Sequence, residues 1–168
     1  GLPFVTMPRL MKILICPDKF KECLRSGEVA KYICEGIYRA LPNADCRMVP
    51  LADGGEGTVE ALVEATGGII EEVTVQDPLM RPVHAYLGLA GDGKTAIIEM
   101  ASASGLALLK PEERNPMITS TYGTGELIRH ALDRGCTEII LGIGGSATVD
   151  CGVGMAHALG VSFTDDTG

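Results

Sequence analysis

The most constraining feature of this sequence is a short apolar run that ends directly in a glycine-rich segment. The run covers residues 138–143, and the segment GGSATVDCGVG and a short helical stretch ending at Leu159 follow it. Branched apolar residues in so short a run favour a buried strand, and the abrupt change to glycine favours a tight turn. The order of strand, glycine-rich turn and helix is typical of α/β folds.

The N-terminal part repeats this alternation. Strands are predicted at residues 11–16 and 46–51, and helices at residues 26–41 and 58–66, with Pro42 and Gly67 as the stop signals. The first helix has apolar residues at helical spacing, which predicts one buried face formed by Val29, Ala30, Ile33, Ile37, Ala40 and Leu41. The sequence therefore predicts a β-α-β-α beginning.

The middle of the chain has a different pattern. Residues 69–76 and 82–89 alternate like strands, residues 95–100 continue them across a GDG turn, and residues 126–134 have helical spacing. Consecutive strands indicate a mixed or antiparallel sheet, so we expect a second, mixed α/β domain. The change of pattern puts the expected boundary between residues 11–67 and 68–168.

Composition excludes several classes of protein. The chain has 168 residues, 46% hydrophobic, and a net charge of −8, which disfavours binding to nucleic acid. No apolar run reaches the ~18 residues of a membrane span. Six cysteines without a C-x-x-C pair or zinc-like spacing indicate reduced thiols and a cytoplasmic location. Residues 1–10 resemble a leader or tag remnant before Met11.

Two glycine-rich turns are the main candidate sites. In the turn after residue 143, glycines and hydroxyls at a helix start could present N–H groups to a phosphate or carboxylate; the candidates are Gly144, Gly145, Ser146, Ala147 and Thr148, with Asp150 beside them. In the turn after the second strand, two acids accompany three glycines; the candidates are Asp53, Gly54, Gly55, Glu56, Gly57 and Thr58. Either turn could also be a simple strand-to-helix connection.

Two further segments carry polar residues. A hydroxyl-rich helix entry contains Thr121, Tyr122, Gly123 and Thr124, which could bind a ligand or only cap the helix. The loop after the first strand contains Asp18, Lys19 and Lys21. Ligands of α/β sheets bind beyond the carboxyl ends of strands, so these charges are expected near the site.

A Walker A pattern offers an alternative function. The segment GLAGDGKT, from Gly88 to Thr95, matches G-x-x-x-x-G-K-[ST]. A genuine phosphate loop opens a helix, whereas the Asp-Gly turn and the isoleucine pair after Lys94 favour a hairpin. A nucleotide-binding NTPase therefore remains an alternative, and it requires that a helix, not a strand, begins after Lys94.

Five sequence runs, in this order, resemble the bacterial glycerate kinases of the glycerate 2-kinase type: KILICPDKFKECL, PLADGGEGTVEALVEATGG, GDGKTAIIEMASASGL, RNPMITSTYGTGELIRHALDRG and GIGGSATVDCGVGMAHALG. The resemblance implies a Rossmann-like domain with a second α/β domain inserted into it, and it makes GDGKT a strand-connecting turn. Members are about twice as long, so the chain resembles an N-terminal fragment. Cys151 stands where glycine is expected, and Lys19 where serine is frequent.

The resemblance also implies a function. It predicts an ATP- and Mg²⁺-dependent kinase that phosphorylates D-glycerate, a small-molecule substrate, with no nucleic-acid or membrane partner and no prediction of oligomeric state. Asp53, Asp150 and Lys19 are the expected catalytic residues. The spacing does not decide which aspartate is the base and which binds metal. A module that binds anions without catalysis is the remaining alternative.

Overall fold

The structure is a computed structural model that describes residues 10–17, 24, 26–49, 51 and 53–165. The chain forms two compact units, Gly1–Leu51 and Ala52–Gly168. The predicted leader (except Leu10) and the predicted site residues Asp18, Lys19 and Lys21 lie outside the described residues.

The first unit is a parallel β-α-β arrangement. Strand β1 (Lys12–Ile15) pairs in parallel with β2 (Asp45–Met48), and helix α1 (Ser26–Ala40) connects them. The small core of this unit contains Ile15, Ala30 and Cys34. The predicted β-α-β order is therefore confirmed, although both strands are shorter than predicted.

The buried face of α1 differs from the prediction. Ala30, Cys34 and Ile37 contribute to the core, while Ile33 and Leu41 are more than 40% exposed. Cys34 lies four residues after Ala30 and three before Ile37, so it continues the same helical stripe. Cysteine packs as a small apolar residue, and the prediction omitted it.

The second unit is built on a four-stranded sheet. Its strands are β3 (Ile69–Gln76), β4 (Pro82–Leu89), β5 (Thr95–Glu99) and β6 (Glu138–Gly142), in the order β3-β4-β5-β6. The pairs β3-β4 and β4-β5 are antiparallel, whereas β5-β6 is parallel. This confirms the predicted mixed α/β fold.

Helices cover both faces of this sheet. Helix α2 (Thr58–Thr66) packs through Val59 and Val63 against Ile97 on one face. Helix α4 (Tyr122–Asp133) packs through Leu127 on the other face, in a core that includes Ile98. Because Ile97 and Ile98 point to opposite faces, β5 is buried on both sides. In the structure α2 belongs to the second unit; the predicted boundary near residue 67 stays a prediction.

Short helices complete the second unit. Helix α3 (Ala101–Ser104) follows β5, 3₁₀ turns occupy Leu106–Leu108 and Pro111–Glu113, and α5 (Val153–Ala158) follows the glycine-rich turn. Helix α4 begins four residues before the predicted start at residue 126, so the hydroxyl-rich entry forms its first turn. Among the described residues, no helix is long and apolar enough to span a membrane.

The Walker A interpretation is wrong. Thr95 begins strand β5 instead of a helix, and residues 90–95 form the turn of a hairpin. The Oδ1 atom of Asp92 accepts the N–H groups of Lys94 and Thr95 at 2.8 and 2.9 Å. The Asp92 carboxylate therefore accepts the N–H groups that a phosphate would need. These hydrogen bonds lower the pKa of Asp92 below its usual range.

Candidate functional site

Two of the predicted site turns are in direct contact. The N–H of Gly144 donates to the carbonyl of Gly54 at 2.8 Å, beyond the carboxyl end of β6. A Cβ atom on Gly144 would lie 2.8 Å from the Cα of Gly55, and one on Gly142 would lie 2.5 Å from the Gly54 oxygen. Glycine is required here because the two backbones approach each other too closely for side chains.

The hydroxyl-rich segment before α4 joins the second of these turns. The Thr119 hydroxyl donates to the Ala147 carbonyl at 2.8 Å, and both the N–H and the hydroxyl of Thr121 donate to Oδ2 of Asp150, at 2.9 and 2.8 Å. Three of the four predicted site segments therefore form one continuous hydrogen-bonded structure.

The half-buried carboxylate of Asp150 caps helix α5. Besides Thr121, it accepts the N–H groups of Gly154 at 3.1 Å and Gly152 at 3.2 Å. Burial favours the neutral acid, but the hydrogen bonds from Thr121, Gly154 and Gly152 outweigh it and lower the pKa of Asp150. Asp150 thus remains a carboxylate at neutral pH. Its oxygens accept the N–H groups at the start of α5, which a ligand would otherwise need.

A buried acid, Glu99, caps the N-terminus of helix α2. It lies at the carboxyl end of β5, and its Oε1 accepts the N–H of Val59 at 2.8 Å. Burial raises the pKa of Glu99, while hydrogen bonds from Val59, Thr58 and Gly57 partly oppose that rise. The sequence analysis missed Glu99; the signal was an acid closing an otherwise apolar strand.

Several residues that were predicted to bind a ligand instead make contacts inside the protein. Thr58 is buried and donates its hydroxyl to the Gly55 carbonyl at 2.7 Å. Thr124 is fully buried, with its hydroxyl 2.8 Å from that of Ser104. Gly123 lies against the backbone of Gln76, where no side chain would fit. These residues hold the turns in place and do not face the solvent.

A cleft of about 270 Å³ lies beside the second glycine-rich turn. Its lining consists of one cation, two hydroxyl residues and apolar groups: Leu106, Arg114, Pro116, Ser146, Ala147, Thr148 and Val149. Spacing alone gave no signal for Arg114, although it begins one of the runs that carry the family resemblance. The cleft combines a positive charge with hydroxyl donors, as an anion requires.

The first glycine-rich turn carries two exposed acids, Asp53 and Glu56. Oδ1 of Asp53 accepts the N–H of Gly55 at 2.9 Å. In the part of the chain that the structure describes, no three His, Cys, Asp or Glu residues group as a metal site. Mg²⁺ in phosphoryl-transfer sites is usually held by one or two carboxylates together with substrate phosphates. An exposed carboxylate at this turn therefore fits Mg²⁺ that arrives with a nucleotide.

Cys151 has a left-handed backbone. Its φ is +53°, a region that costs a residue with a Cβ atom roughly 1–2 kcal/mol. Glycine was expected here from the family resemblance, and this geometry explains why glycine suits the position. The exposed thiol makes a weak contact of 3.9 Å to the Val149 carbonyl.

The fold and these turns define an α/β protein whose glycine-rich turns meet at the carboxyl ends of its strands. The chain belongs to the glycerate kinase family, whose sequence profile matches residues 13–168. It is 58% identical over 155 residues to a glycerate kinase of Haemophilus influenzae and 53% identical over 158 residues to the glycerate 2-kinase of Escherichia coli. The family resemblance of the five sequence runs is therefore confirmed.

These relatives are longer than the chain. The matches cover 92% and 94% of this chain but 41% and 42% of the two curated proteins. A crystal structure of a Salmonella typhimurium LT2 protein described as a glycerate kinase 2 has a TM-score of 0.83 and 55% identity, over 95% of this chain and 42% of that one. The chain thus spans about two fifths of the length of these proteins.

Proposed function

We propose that this chain forms part of an ATP-dependent kinase that phosphorylates a hydroxyl of D-glycerate. Membership of the glycerate kinase family supports the reaction class. The observation that carries the proposal is the contact between the glycine-rich turns, where Gly144 donates to Gly54 and Asp150 accepts from Thr121. These bonds support the proposal because they hold the turn with the exposed Asp53 against the turn that lines the cleft beside Arg114.

In the proposed reaction, the substrate hydroxyl attacks the γ-phosphorus of ATP, the bond to ADP breaks, and the hydroxyl proton passes to a carboxylate. Bound Mg²⁺ would neutralise charge on the phosphate oxygens. We assign the substrate-facing carboxylate to Asp53, because it is exposed at the turn. Asp150 already accepts four hydrogen bonds, so we assign it a positioning role.

Two further parts of the proposal concern Lys19 and the location of the enzyme. Asp18, Lys19 and Lys21 remain proposed ligands of anionic groups, because they follow the first strand in the sequence and match a site segment of the family. A cytoplasmic location is supported by the free thiols of the described cysteines: Cys16, Cys34, Cys46, Cys136 and Cys151. The proposed ligands are small molecules, ATP and D-glycerate.

A coupled assay of ADP release, with and without D-glycerate, tests the reaction. It is run on the 168-residue chain and on this chain extended by the part of the relatives' length that it does not span. We expect ADP release that depends on D-glycerate from the extended protein. Binding of D-glycerate without ADP release would instead indicate a non-catalytic anion-binding module, and ADP release without D-glycerate would indicate a simple ATPase.

Two aspartate variants test the assignment of roles. Asp53→Asn should lower kcat by about 10²- to 10³-fold, because it removes a carboxylate that acts on the substrate, and it should lower the melting temperature less than Asp150→Asn does, because its remaining Oδ1 can still accept the Gly55 N–H. Asp150→Asn should lower the melting temperature, because only one acceptor oxygen remains for four donors. If Asp53→Asn kept wild-type kcat, Asp53 would have no part in the chemistry.

A further inference from the structure

We infer that Arg114, together with the hydroxyls of Ser146 and Thr148, forms an oxyanion subsite that binds a carboxylate or phosphate group of the substrates. The inference rests on the proposed function and adds a binding residue that sequence patterns did not indicate. All three residues line the same cleft of about 270 Å³.

The charge of the cleft supports an anionic ligand. Among the described residues that line it, Arg114 is the one charged residue and none is acidic, in a chain whose net charge is −8. In the described part of the chain, Arg81 pairs with Asp77 and Glu113, and Arg134 pairs with Glu71, whereas Arg114 has no ion pair. An unpaired guanidinium beside hydroxyls presents the forked donors that carboxylate and phosphate oxygens accept.

The hydroxyl side of the cleft can also donate. Ser146 Oγ lies 2.9 Å from Thr148 Oγ1, and the Thr148 N–H donates to Ser146 Oγ at 3.0 Å. Two hydroxyl hydrogens are present and one bridges the two oxygens. The other can be donated to a ligand in place of its 3.2 Å bond to the Thr148 carbonyl. A ligand oxygen would therefore meet donors from both sides of the cleft.

Polar contacts anchor the segments on either side of Arg114. Arg81 Nη1 contacts Glu113 Oε1 at 2.7 Å, and the other Glu113 oxygen accepts the N–H of Lys110 at 3.0 Å. Arg81 is itself fixed by the buried Asp77, 2.7 Å from its Nε. On the far side, Thr119 donates to Ala147 of the turn. Such support lowers the entropy that a binding residue loses when its ligand arrives.

The size of the cleft indicates a small group. Pockets for drug-sized ligands measure about 300–1,000 Å³, so a cleft of about 270 Å³ suits a short acid or a single phosphate group. A carboxylate would come from D-glycerate and a phosphate from ATP, and both would use the same donors.

The test uses the extended protein and the variants Arg114→Gln and Arg114→Lys. Arg129→Gln is the matched control, because Arg129 is an exposed arginine on α4 outside the cleft. We expect Arg114→Gln to raise one KM by about ten- to a hundredfold, as for a lost bond to a charged group, and the other by less than about twofold. A higher KM for D-glycerate identifies the carboxylate, and a higher KM for ATP identifies a phosphate.

Arg114→Lys should recover part of the affinity, because it keeps the charge but loses the forked geometry. A second measurement separates this inference from the proposed function: calorimetric titration of the wild type, Arg114→Gln and Arg129→Gln with D-glycerate and with inorganic phosphate. Loss of titratable binding in Arg114→Gln alone supports the subsite even if the wild type releases no ADP. Unchanged KM values and unchanged binding in Arg114→Gln overturn it, even if the wild type is an active kinase.

Discussion

The two glycine-rich turns of the second unit, residues 53–57 and 144–148, both contain a pair of glycines, but the helices that follow them are capped by different kinds of carboxylate. Both follow the predicted end of a strand and precede a helix, and both have acids and hydroxyls nearby. In the first, the helix N-terminus is filled by Glu99, which lies 40 residues beyond Val59. In the second, it is filled by Asp150, four residues before Gly154.

The difference determines what each turn offers to a ligand. Glu99 is buried, and it neutralises the N-terminus of α2 inside the protein. Asp150 performs the same task for α5 while Ser146 and Thr148 of the preceding turn still line a cleft with Arg114. A glycine-rich turn thus indicates that two backbones approach closely. Whether its N–H groups can bind a ligand depends on which carboxylate of the protein already accepts them.

The largest expected effect concerns the first turn. Glu99→Ala should lower the free energy of unfolding by roughly 2–4 kcal/mol, because the N–H groups at the start of α2 lose their acceptor in a buried site. Urea unfolding measures this change. Glu64→Ala, an exposed acid on the same helix, is the control and should change stability by less than about 0.5 kcal/mol. Equal effects would show that Glu99 is not a special cap.

The contact between the turns gives the second prediction. Gly144→Ala should cost about 1–3 kcal/mol, because its Cβ would lie 2.8 Å from the Gly55 Cα and would force the two backbones apart. Gly36→Ala is the control, since a Cβ there meets nothing within 4 Å and α1 should gain about 0.5–1 kcal/mol. Thermal unfolding of both variants measures these changes. If Gly144→Ala left the stability unchanged, the two turns would not be in the close contact described above.

The second turn depends on the side chain of Thr121, the residue directly before α4. Thr121→Val should cost roughly 1–2 kcal/mol, because Asp150 loses one donor and the Met155 N–H loses its acceptor at 2.9 Å. Thr121→Ser, which keeps the hydroxyl, should recover most of this loss. Thr137→Val, at an exposed threonine, is the control. The comparison of the two turns would fail if Thr121→Val unfolded at the same urea concentration as the wild type.

Cys151 offers a smaller, stabilising change. Cys151→Gly should raise the free energy of unfolding by about 1 kcal/mol, because glycine adopts the φ of +53° without strain. Cys151→Ala retains a Cβ atom and should bring no comparable gain. A differential scanning calorimetry trace in which the glycine and alanine variants coincide would remove strain as the explanation for this position.

The smallest effect is a pH dependence of opposite sign for the two caps. The pKa of Asp150 is lowered from 3.8, so its stabilisation is present above pH 3.8 and is lost as the pH falls further. The pKa of Glu99 is raised from 4.5, so its contribution is present below pH 4.5 and decreases as the pH rises. Asparagine and glutamine resemble the protonated acids, so the stability curves of Asp150→Asn and Glu99→Gln should both approach the wild type at low pH. As the pH rises, Asp150→Asn should become less stable than the wild type and Glu99→Gln should lose less stability than the wild type does.

Much of the fold could be predicted from sequence because its signals are local. The alternating pattern predicted β3 and β4 to the residue, and Gly67 ends α2 with a φ of +67°, as expected for a glycine cap. The Walker A match misled because a letter pattern does not encode the strand that comes after it. The start of α4 was placed too late because glycine and threonine have weak helix propensity.

The candidate site was only partly predictable. Glycines mark where backbones approach, so Gly54, Gly55 and Gly144 could be singled out. Arg114 and Glu99 could not, since Arg114 shares its cleft with Ser146 and Thr148, and Glu99 accepts from Val59, across at least 32 positions of the chain.

The sequence by itself determined the alternation of strands and helices and the positions of the turns, because propensity and glycine geometry act over a few residues. It also determined the family, through the resemblance of five sequence runs. Only the tertiary structure decided which carboxylate caps the helix after each turn, which acid has its pKa raised or lowered, and which arginine lines the cleft. The physical reason is that hydrogen bonds and desolvation depend on neighbours in space, and the sheet brings together residues that the chain keeps apart.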